Sequence, residues 1–149
     1  MIAIKRVAAD APEFLPLHEA REAYAAALYP AESNHLLDVS SMCQPQMNFF
    51  GAWAGGEIVG CGGFWEHADY VEIKSMWVAP AARGQKIGQQ LLDVIEREAK
   101  DKGFALARLE TGIHQPEALS LYRKNGYCGI GPFGAYKLDP LSVFMEKPL

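Results

Sequence analysis

Arginine, glycine and lysine fall together in the run Arg83-Gly84-Gln85-Lys86-Ile87-Gly88, directly ahead of Gln89-Gln90-Leu91-Leu92-Asp93-Val94-Ile95. The second stretch reads as a helix, which puts the first at a helix N-terminus. There the leading N–H groups lack intrahelical acceptors and the helix dipole adds partial positive charge. Glycines let the backbone approach a bound group without an intervening Cβ, and Arg83 and Lys86 carry full charges of the same sign. These residue types in this order form an anion cradle and point to a diphosphate-bearing cofactor. Other chemistries find less support. No His, Asp or Glu group has metal-ligand spacing, so no metal is expected. No Gly-x-Ser-x-Gly elbow is present. Cys43, Cys61 and Cys128 are odd in number, widely spaced and outside any CxxC, which suggests reduced thiols rather than a disulfide framework or a zinc site.

The elements that must position the cradle follow from periodicity. Ile2, Ile4 and Val7 suggest a first strand, and residues from about Ala11 to Leu28 a helix ended by Pro30. Glu32 to Val39 reads as a short second helix, with Ser33 or Asn34 as N-cap. Asn48 to Ala54 and Glu57 to Trp65 read as strands joined by a Gly55-Gly56 hairpin turn. Gly60, Gly62 and Gly63 suggest a bulge or close backbone approach in the second of them. Tyr70 to Val78 is the fourth strand. The helix after the cradle runs to about Lys102, with Ile87, Leu91, Leu92, Ile95 and Ala99 on one apolar face and Gly103 at its C′ position. Phe104 to Thr111 is a strand and Pro116 to Lys124 a helix. Tyr127 to Phe133 and Leu141 to Lys147 are final strands. The aromatic cluster Phe49, Phe50, Trp53, Phe64 and Trp65 alternates along strands and is assigned to the core.

The chain has 149 residues, half of them hydrophobic and 21% charged, a composition suited to one domain with one core. Its net charge of −4 argues against nucleic acid as partner. No segment has the apolar length of a membrane span, and Met1 to Arg6 lacks a signal-peptide core. A cytoplasmic protein without membrane contact is expected.

The strand-helix order, with Arg-Gly-x-x-Ile-Gly after the fourth strand, resembles the GNAT superfamily of N-acetyltransferases. A second motif supports it. Gln115-Pro116-Glu117-Ala118-Leu119-Ser120-Leu121-Tyr122 followed by Gly126-Tyr127 is similar to the family's Asn-x-x-Ala-x-x-x-Tyr and its Gly-Phe or Gly-Tyr pair. The tail from Gly131 to Met145 resembles a small bacterial branch. Two positions depart from the pattern: Lys86 stands where the middle glycine of the phosphate turn is usual, and Gln115 where Asn is usual. The resemblance covers essentially the whole chain. It implies an α/β (α+β) fold in one domain, residues 1–149. The sheet is mixed and mostly antiparallel, has helices on both faces and splays between its fourth and fifth strands.

The resemblance also implies the chemistry. Acetyl-CoA is the co-substrate, gripped by Arg83, Gly84, Gln85, Lys86, Ile87 and Gly88 and by backbone groups of Met76, Trp77 and Val78, with Gln115 nearby. The acceptor is a primary amine of a small molecule, attacking directly in a ternary complex. An amine of pKa near 10 loses its proton at neutral pH at a cost of about 4 kcal/mol, so a base helps. Glu72 is the first candidate. It lies eleven residues before Arg83, the offset of the catalytic Glu in histone-type members, and by strand parity it shares a face with Lys74, Met76 and Val78. Glu110 is the second candidate, as base or substrate ligand. Tyr122 matches the tyrosine that donates a proton to the departing thiolate, and a backbone N–H near Val78 is expected to stabilise the oxyanion.

Tyr29, Glu32 and His35 fall in the region that walls the acceptor pocket, and the loop from Gly134 to Pro140, with Tyr136 and Asp139, is expected to close over it. His114 reads as a capping or solvent residue, and His18 and His67 as surface. The acidic chain favours a cationic acceptor by steering. Two other readings stay open: a peptide or protein N-acetyltransferase, and a non-catalytic acyl-CoA-binding sensor. A homodimer is a possible partner state.

Overall fold

Alternating apolar residues build four strands in the first half of the chain. These are β1 (Ile2–Arg6), β2 (Met47–Ala54), β3 (Glu57–Glu66) and β4 (Val71–Val78), each antiparallel to the next. Two helices, α1 (Leu15–Leu28) and α2 (Val39–Met42), lie between β1 and β2. After β4 come α3 (Ile87–Asp101), β5 (Leu106–Gly112), α4 (Pro116–Lys124), β6 (Cys128–Ile130) and β7 (Ser142–Pro148). The computed structural model describes all 149 residues, and its seven strands form one sheet in the order β1-β2-β3-β4-β5-β7-β6.

The β4–β5 pair is parallel and pairs only at Val71↔Ala107 and Glu72↔Arg108. Beyond those residues the strands part, and the sheet opens as a V toward their C-terminal ends. That split positions the site.

Two apolar clusters clamp the sheet. On one face, Ile87, Leu91, Leu92, Ile95 and Ala99 of α3 and Leu119 and Tyr122 of α4 meet Phe50, Phe64, Val71, Ile73 and Leu109. Full burial of each large aliphatic side chain contributes about 1.5–3 kcal/mol. Gly103, at φ 93°, ends α3, and the N–H of Phe104 bonds back to the carbonyl of Ala99 at 3.1 Å. On the opposite face Phe14 packs edge-on to Phe49 and Trp53, in a second cluster with Met42, Cys61 and Trp77.

The sequence and the structure differ at the second helix. Residues Glu32 to Val39 are not a helix. A 3-10 turn covers Ala31–Ser33, Asn34 is extended at φ −102° and ψ 105°, and α2 begins only at Val39. The capping chemistry explains the shift. Asp38 accepts the Ser41 N–H at 2.7 Å and takes the N-cap position, whereas the Ser33 hydroxyl donates to Asp139 Oδ2 at 2.6 Å.

A second difference concerns β4. Ser75 has φ 63°, and the pairing with β3 jumps from Gly63↔Lys74 to Cys61↔Trp77. Ser75 and Met76 together oppose Gly62, which is a β-bulge. The bulge resets side-chain parity: Met76 and Val78 pack on the α3 side, and Trp77 joins the α1 side. The expectation that Glu72 and Lys74 share a face with Met76 and Val78 is therefore wrong, because parity counting assumes an unbroken strand. Gly62 leaves the Met76 side chain room opposite the bulge. A Cβ there would come within 2.3 Å of Met76 Sδ.

Candidate active site

The donor end of the split is made of backbone. Gly84 at φ 86° and Lys86 at φ 61° turn the chain sharply before α3. The first α3 bond runs from the Gln90 N–H to the Lys86 carbonyl at 3.1 Å, and no side chain caps the helix. The N–H groups from Gly84 to Gln89 therefore have no backbone acceptor, and a Cβ on Gly84 would meet only open space. This turn fits a diphosphate. The Arg83 side chain turns elsewhere: its Nε donates to the Val78 carbonyl at 3.2 Å and its guanidinium lies 4.9 Å from the Trp77 ring centroid.

Within the split lies a cleft. The turn from Tyr29 to Leu37 and the end of α1 wall one side, β4 from Ile73 to Trp77 and β5 from Glu110 to Gly112 form its floor, and Gln115 and Tyr122 of the α4 region close it. Of the residues expected at the site, Tyr29, His35, Met76, Trp77, Glu110, Gln115 and Tyr122 line this cleft. Glu72, Val78, Tyr136 and the Arg83–Gly88 run do not, and Glu32 lies exposed on the 3-10 turn.

The two carboxylates differ in their surroundings. Glu72 sits in the closed part of the sheet, opposite Arg108, and is buried. His67 Nε2 lies 3.0 Å from its Oε1, and Oε2 accepts from the Tyr136 hydroxyl and lies 3.3 Å from Lys74 Nζ. Lys74 also donates to the Tyr136 oxygen at 2.9 Å and to the His35 carbonyl at 3.3 Å. Burial, then the Glu72 charge, pushes the Tyr136 phenol well above its ordinary range. Glu110 stands one residue pair further along the same face, at the edge of the cleft. Its Oε2 accepts from the Ser142 hydroxyl at 2.8 Å. Burial raises its pKa, opposed by that hydrogen bond and by the nearby His35 and Lys74.

Tyr122 is buried at the opposite wall, ring edge toward Tyr127 at 5.6 Å between centroids. Burial, with the Glu110 charge second, raises its pKa, so the phenol holds its proton at neutral pH. Gln115 Oε1 accepts from the Tyr29 hydroxyl at 3.2 Å and from the Gly112 N–H at 3.3 Å, and the Tyr29 oxygen accepts the His114 N–H at 3.0 Å. Tyr29 thereby fastens the β5–α4 turn to the end of α1. Gly112 is required there, since a Cβ would fall 1.8 Å from the Tyr29 oxygen.

Two histidines expected at the surface, His18 and His67, prove otherwise. His18 is buried, with Nε2 2.8 Å from the Ala9 carbonyl, and Arg21 on the next turn is buried and lines the cleft. A signal existed. Phe14, His18, Arg21, Ala25 and Leu28 recur at helical spacing, so Arg21 rides the inward stripe. His67 is only partly exposed, stacked on Tyr70 at 4.4 Å and held by Glu72.

This geometry, an uncapped helix start beside a splayed β4–β5 pair, coincides with a family match: the acetyltransferase (GNAT) family model matches residues 14–127. The chain belongs to the GNAT acetyltransferase family. It is an acetyl-CoA-dependent N-acetyltransferase. It is 48% identical over 135 residues to an IAA acetyltransferase of Azospirillum brasilense, covering 89% of this chain and 88% of that one. A Klebsiella pneumoniae protein crystallised as a provisional acyl-CoA N-acyltransferase superposes with TM-score 0.85 at 36% identity, over 100% of this GNAT chain and 98% of that one. The PaiA N-acetyltransferase of Thermoplasma acidophilum, in complex with coenzyme A, shares the fold with TM-score 0.75 at 22% identity, over 100% and 99% of the two chains. No helix is long and apolar enough to cross a membrane.

Proposed function

We propose that this enzyme acetylates the primary amine of a small molecule by direct attack in a ternary complex. The observation that carries the reading is that Glu110 and Tyr122 line one cleft inside the β4–β5 split. Acetyl-CoA supplies the thioester carbonyl that the amine attacks and the thiolate that needs a proton. The free N–H groups before Gln90 hold the diphosphate, with Lys86 adding charge. Past Glu72 the β4 edge has no strand partner toward β5, so Met76, Trp77 and Val78 offer main-chain hydrogen bonds to the extended pantetheine arm.

Glu110 accepts the amine proton. Its raised pKa brings it closer to the working pH than an ordinary carboxylate, and Ser142 fixes its orientation. Tyr122 keeps a proton until charge develops on the departing sulfur. Glu72 has another part. Its oxygens are engaged by His67, Tyr136 and Lys74, so it fixes the Tyr136 loop against β4 and orients Lys74. The turn from Tyr29 to Leu37 confines the cleft on the acceptor side, which supports a small acceptor over an extended peptide.

Release of free thiol is measured across a panel of small amines and peptides for the wild type, Tyr122→Phe and Glu110→Gln. Turnover on small amines with both variants strongly impaired is expected. Absence of turnover on every amine, or an unimpaired Tyr122→Phe, would refute the assignment.

A further inference from the structure

Arg21 is 4% exposed, yet no carboxylate pairs with it. Its Nη1 lies 3.1 Å from His18 Nδ1. His18 Nε2 faces the Ala9 carbonyl at 2.8 Å and must donate to it, which leaves Nδ1 as the acceptor for Arg21 on a neutral ring. The adjacent Cys61 thiol is pushed up to about 11 by burial, so it is uncharged too. Nε and Nη2 of Arg21 are buried without a hydrogen-bonding oxygen or nitrogen, and the weakly accepting Cys61 sulfur is the guanidinium's other polar neighbour. A buried guanidinium without a counter-charge is expensive, and folded chains keep such a group only where something compensates it.

The two orphaned donors share one edge of the guanidinium plane. Nε–H and Nη2–H point the same way, at the spacing of the two oxygens of a carboxylate or of two oxygens of a phosphonate. Arg21 lines the same cleft as Glu110, and so does His35, whose buried Nε2 is also unpartnered. Lys74, the other cation of the lining, is neutralised by Glu72.

We infer that the acceptor is an amine that also carries an oxyanion group, a carboxylate or phosphonate, and that the Nε/Nη2 edge of Arg21 binds this group while the amine faces Glu110. The inference rests on the acetyltransferase reading above and narrows its substrate class. It reverses what the net charge of −4 suggests: the local cation in the cleft, and not the remote acidic surface, selects the acceptor. His35 adds a second donor to the anion when its Nε2 carries the proton.

The test uses matched amines: ω-amino carboxylates and aminoalkylphosphonates against n-alkylamines of the same carbon skeleton. Thiol release gives kcat and KM for wild type, Arg21→Met and Arg21→Lys. The wild type is expected to favour one of the anionic series, and whether carboxylate or phosphonate wins tells which oxyanion fits. Loss of a charge-assisted bidentate contact corresponds to roughly 10–100-fold, so Arg21→Met should collapse the anionic-to-neutral ratio of kcat/KM by about that factor, mainly through KM. Arg21→Lys, which keeps the charge and loses the fork, should recover part of the ratio. A structural role alone would lower both series in proportion. If the wild type shows no preference, or the ratio survives in Arg21→Met, the inference is overturned. If no amine turns over, the acetyltransferase reading fails, and a separate arm still decides the anion site: the amine-free carboxylate or phosphonate must raise the Tm of the wild type and not of Arg21→Met. Equal shifts would overturn it.

Discussion

Glu72 and Glu110 stand on the same sheet face, on neighbouring strands, and the sheet treats them in opposite ways. Glu72 lies where β4 and β5 are still paired, with a histidine, a lysine and a tyrosine on its oxygens. Glu110 lies just past the point where the strands part, held by one serine hydroxyl. The parting of two strands thus turns a fully engaged carboxylate position into one with open acceptor capacity at a cleft, the position proposed for the base. A carboxylate with both oxygens held by donors cannot take a proton without disturbing its network. One with open acceptor capacity, partly desolvated, is set to do so.

The sharpest break of that contrast is Glu110→Gln beside Glu72→Gln. General-base removal costs typically ~10²–10⁴-fold, so Glu110→Gln should lose about that much in kcat. Stability should move the other way. Burial raises the folded pKa of Glu110, so its contribution to stability is full below the unfolded carboxylate pKa and is lost as pH rises through the raised folded value. At neutral pH the charged group is a burden, and Glu110→Gln should raise Tm there and leave it unchanged at acid pH. The wild-type kcat/KM should rise with pH along an acid limb lying above the ordinary Glu range. A Glu110→Gln enzyme with full kcat would transfer the base role away from this residue.

For Glu72→Gln the pattern inverts. Glu72 is buried and Lys74 half-buried, and removing the charge leaves Lys74 hydrogen-bonded to neutral partners only. A loss of about 1–3 kcal/mol by denaturant unfolding is expected, with a smaller fall in kcat than in Glu110→Gln. Equal catalytic losses from both variants would erase the distinction between them.

Gly112→Ala tests whether the end of β5 must stay bare for Tyr29. The added methyl would fall on the Tyr29 hydroxyl, which anchors both Gln115 and the His114 N–H. Displacing that ring should raise the acceptor KM more than the acetyl-CoA KM, since Tyr29 belongs to the acceptor wall. A change confined to the acetyl-CoA KM would place the ring on the donor side.

The donor and acceptor sides were unequally legible in the sequence. The cradle before α3 is local: a few consecutive residues set the turn and the helix start, and the apolar stripe from Ile87 to Ala99 fixes the helix behind it. The sheet and its split followed from strand patterning and the family resemblance. The acceptor side is built by contacts distant in sequence, such as Tyr29 with Gln115, Ser33 with Asp139 and Lys74 with Tyr136. A helix was expected across Glu32–Val39 with Ser33 or Asn34 as its cap, because nothing local shows that Ser33 is engaged by Asp139. Parity placed Glu72 beside Met76 because one left-handed serine, Ser75, is invisible to a period of two. Arg21 was visible only to a reading that trusts helical spacing over residue type.

The smallest effect concerns the donor side, where sequence and structure agree on a weakness. Lys86 occupies the left-handed region at φ 61° and ψ 26° as the N-cap of α3, a conformation that costs a residue with a Cβ about 1–2 kcal/mol and costs glycine little. Glycine gives part of this back, because it loses more backbone entropy on folding. Lys86→Gly should therefore stabilise the fold by a few tenths to about 1 kcal/mol, read as a small rise in Tm. Removing the charge should at the same time raise the KM for acetyl-CoA, more at low than at high ionic strength, because an exposed charge at a phosphate site is screened by salt. A Tm gain with an unchanged KM would mean that Lys86 carries the turn's strain with no return in phosphate binding, and that backbone N–H groups alone make the grip.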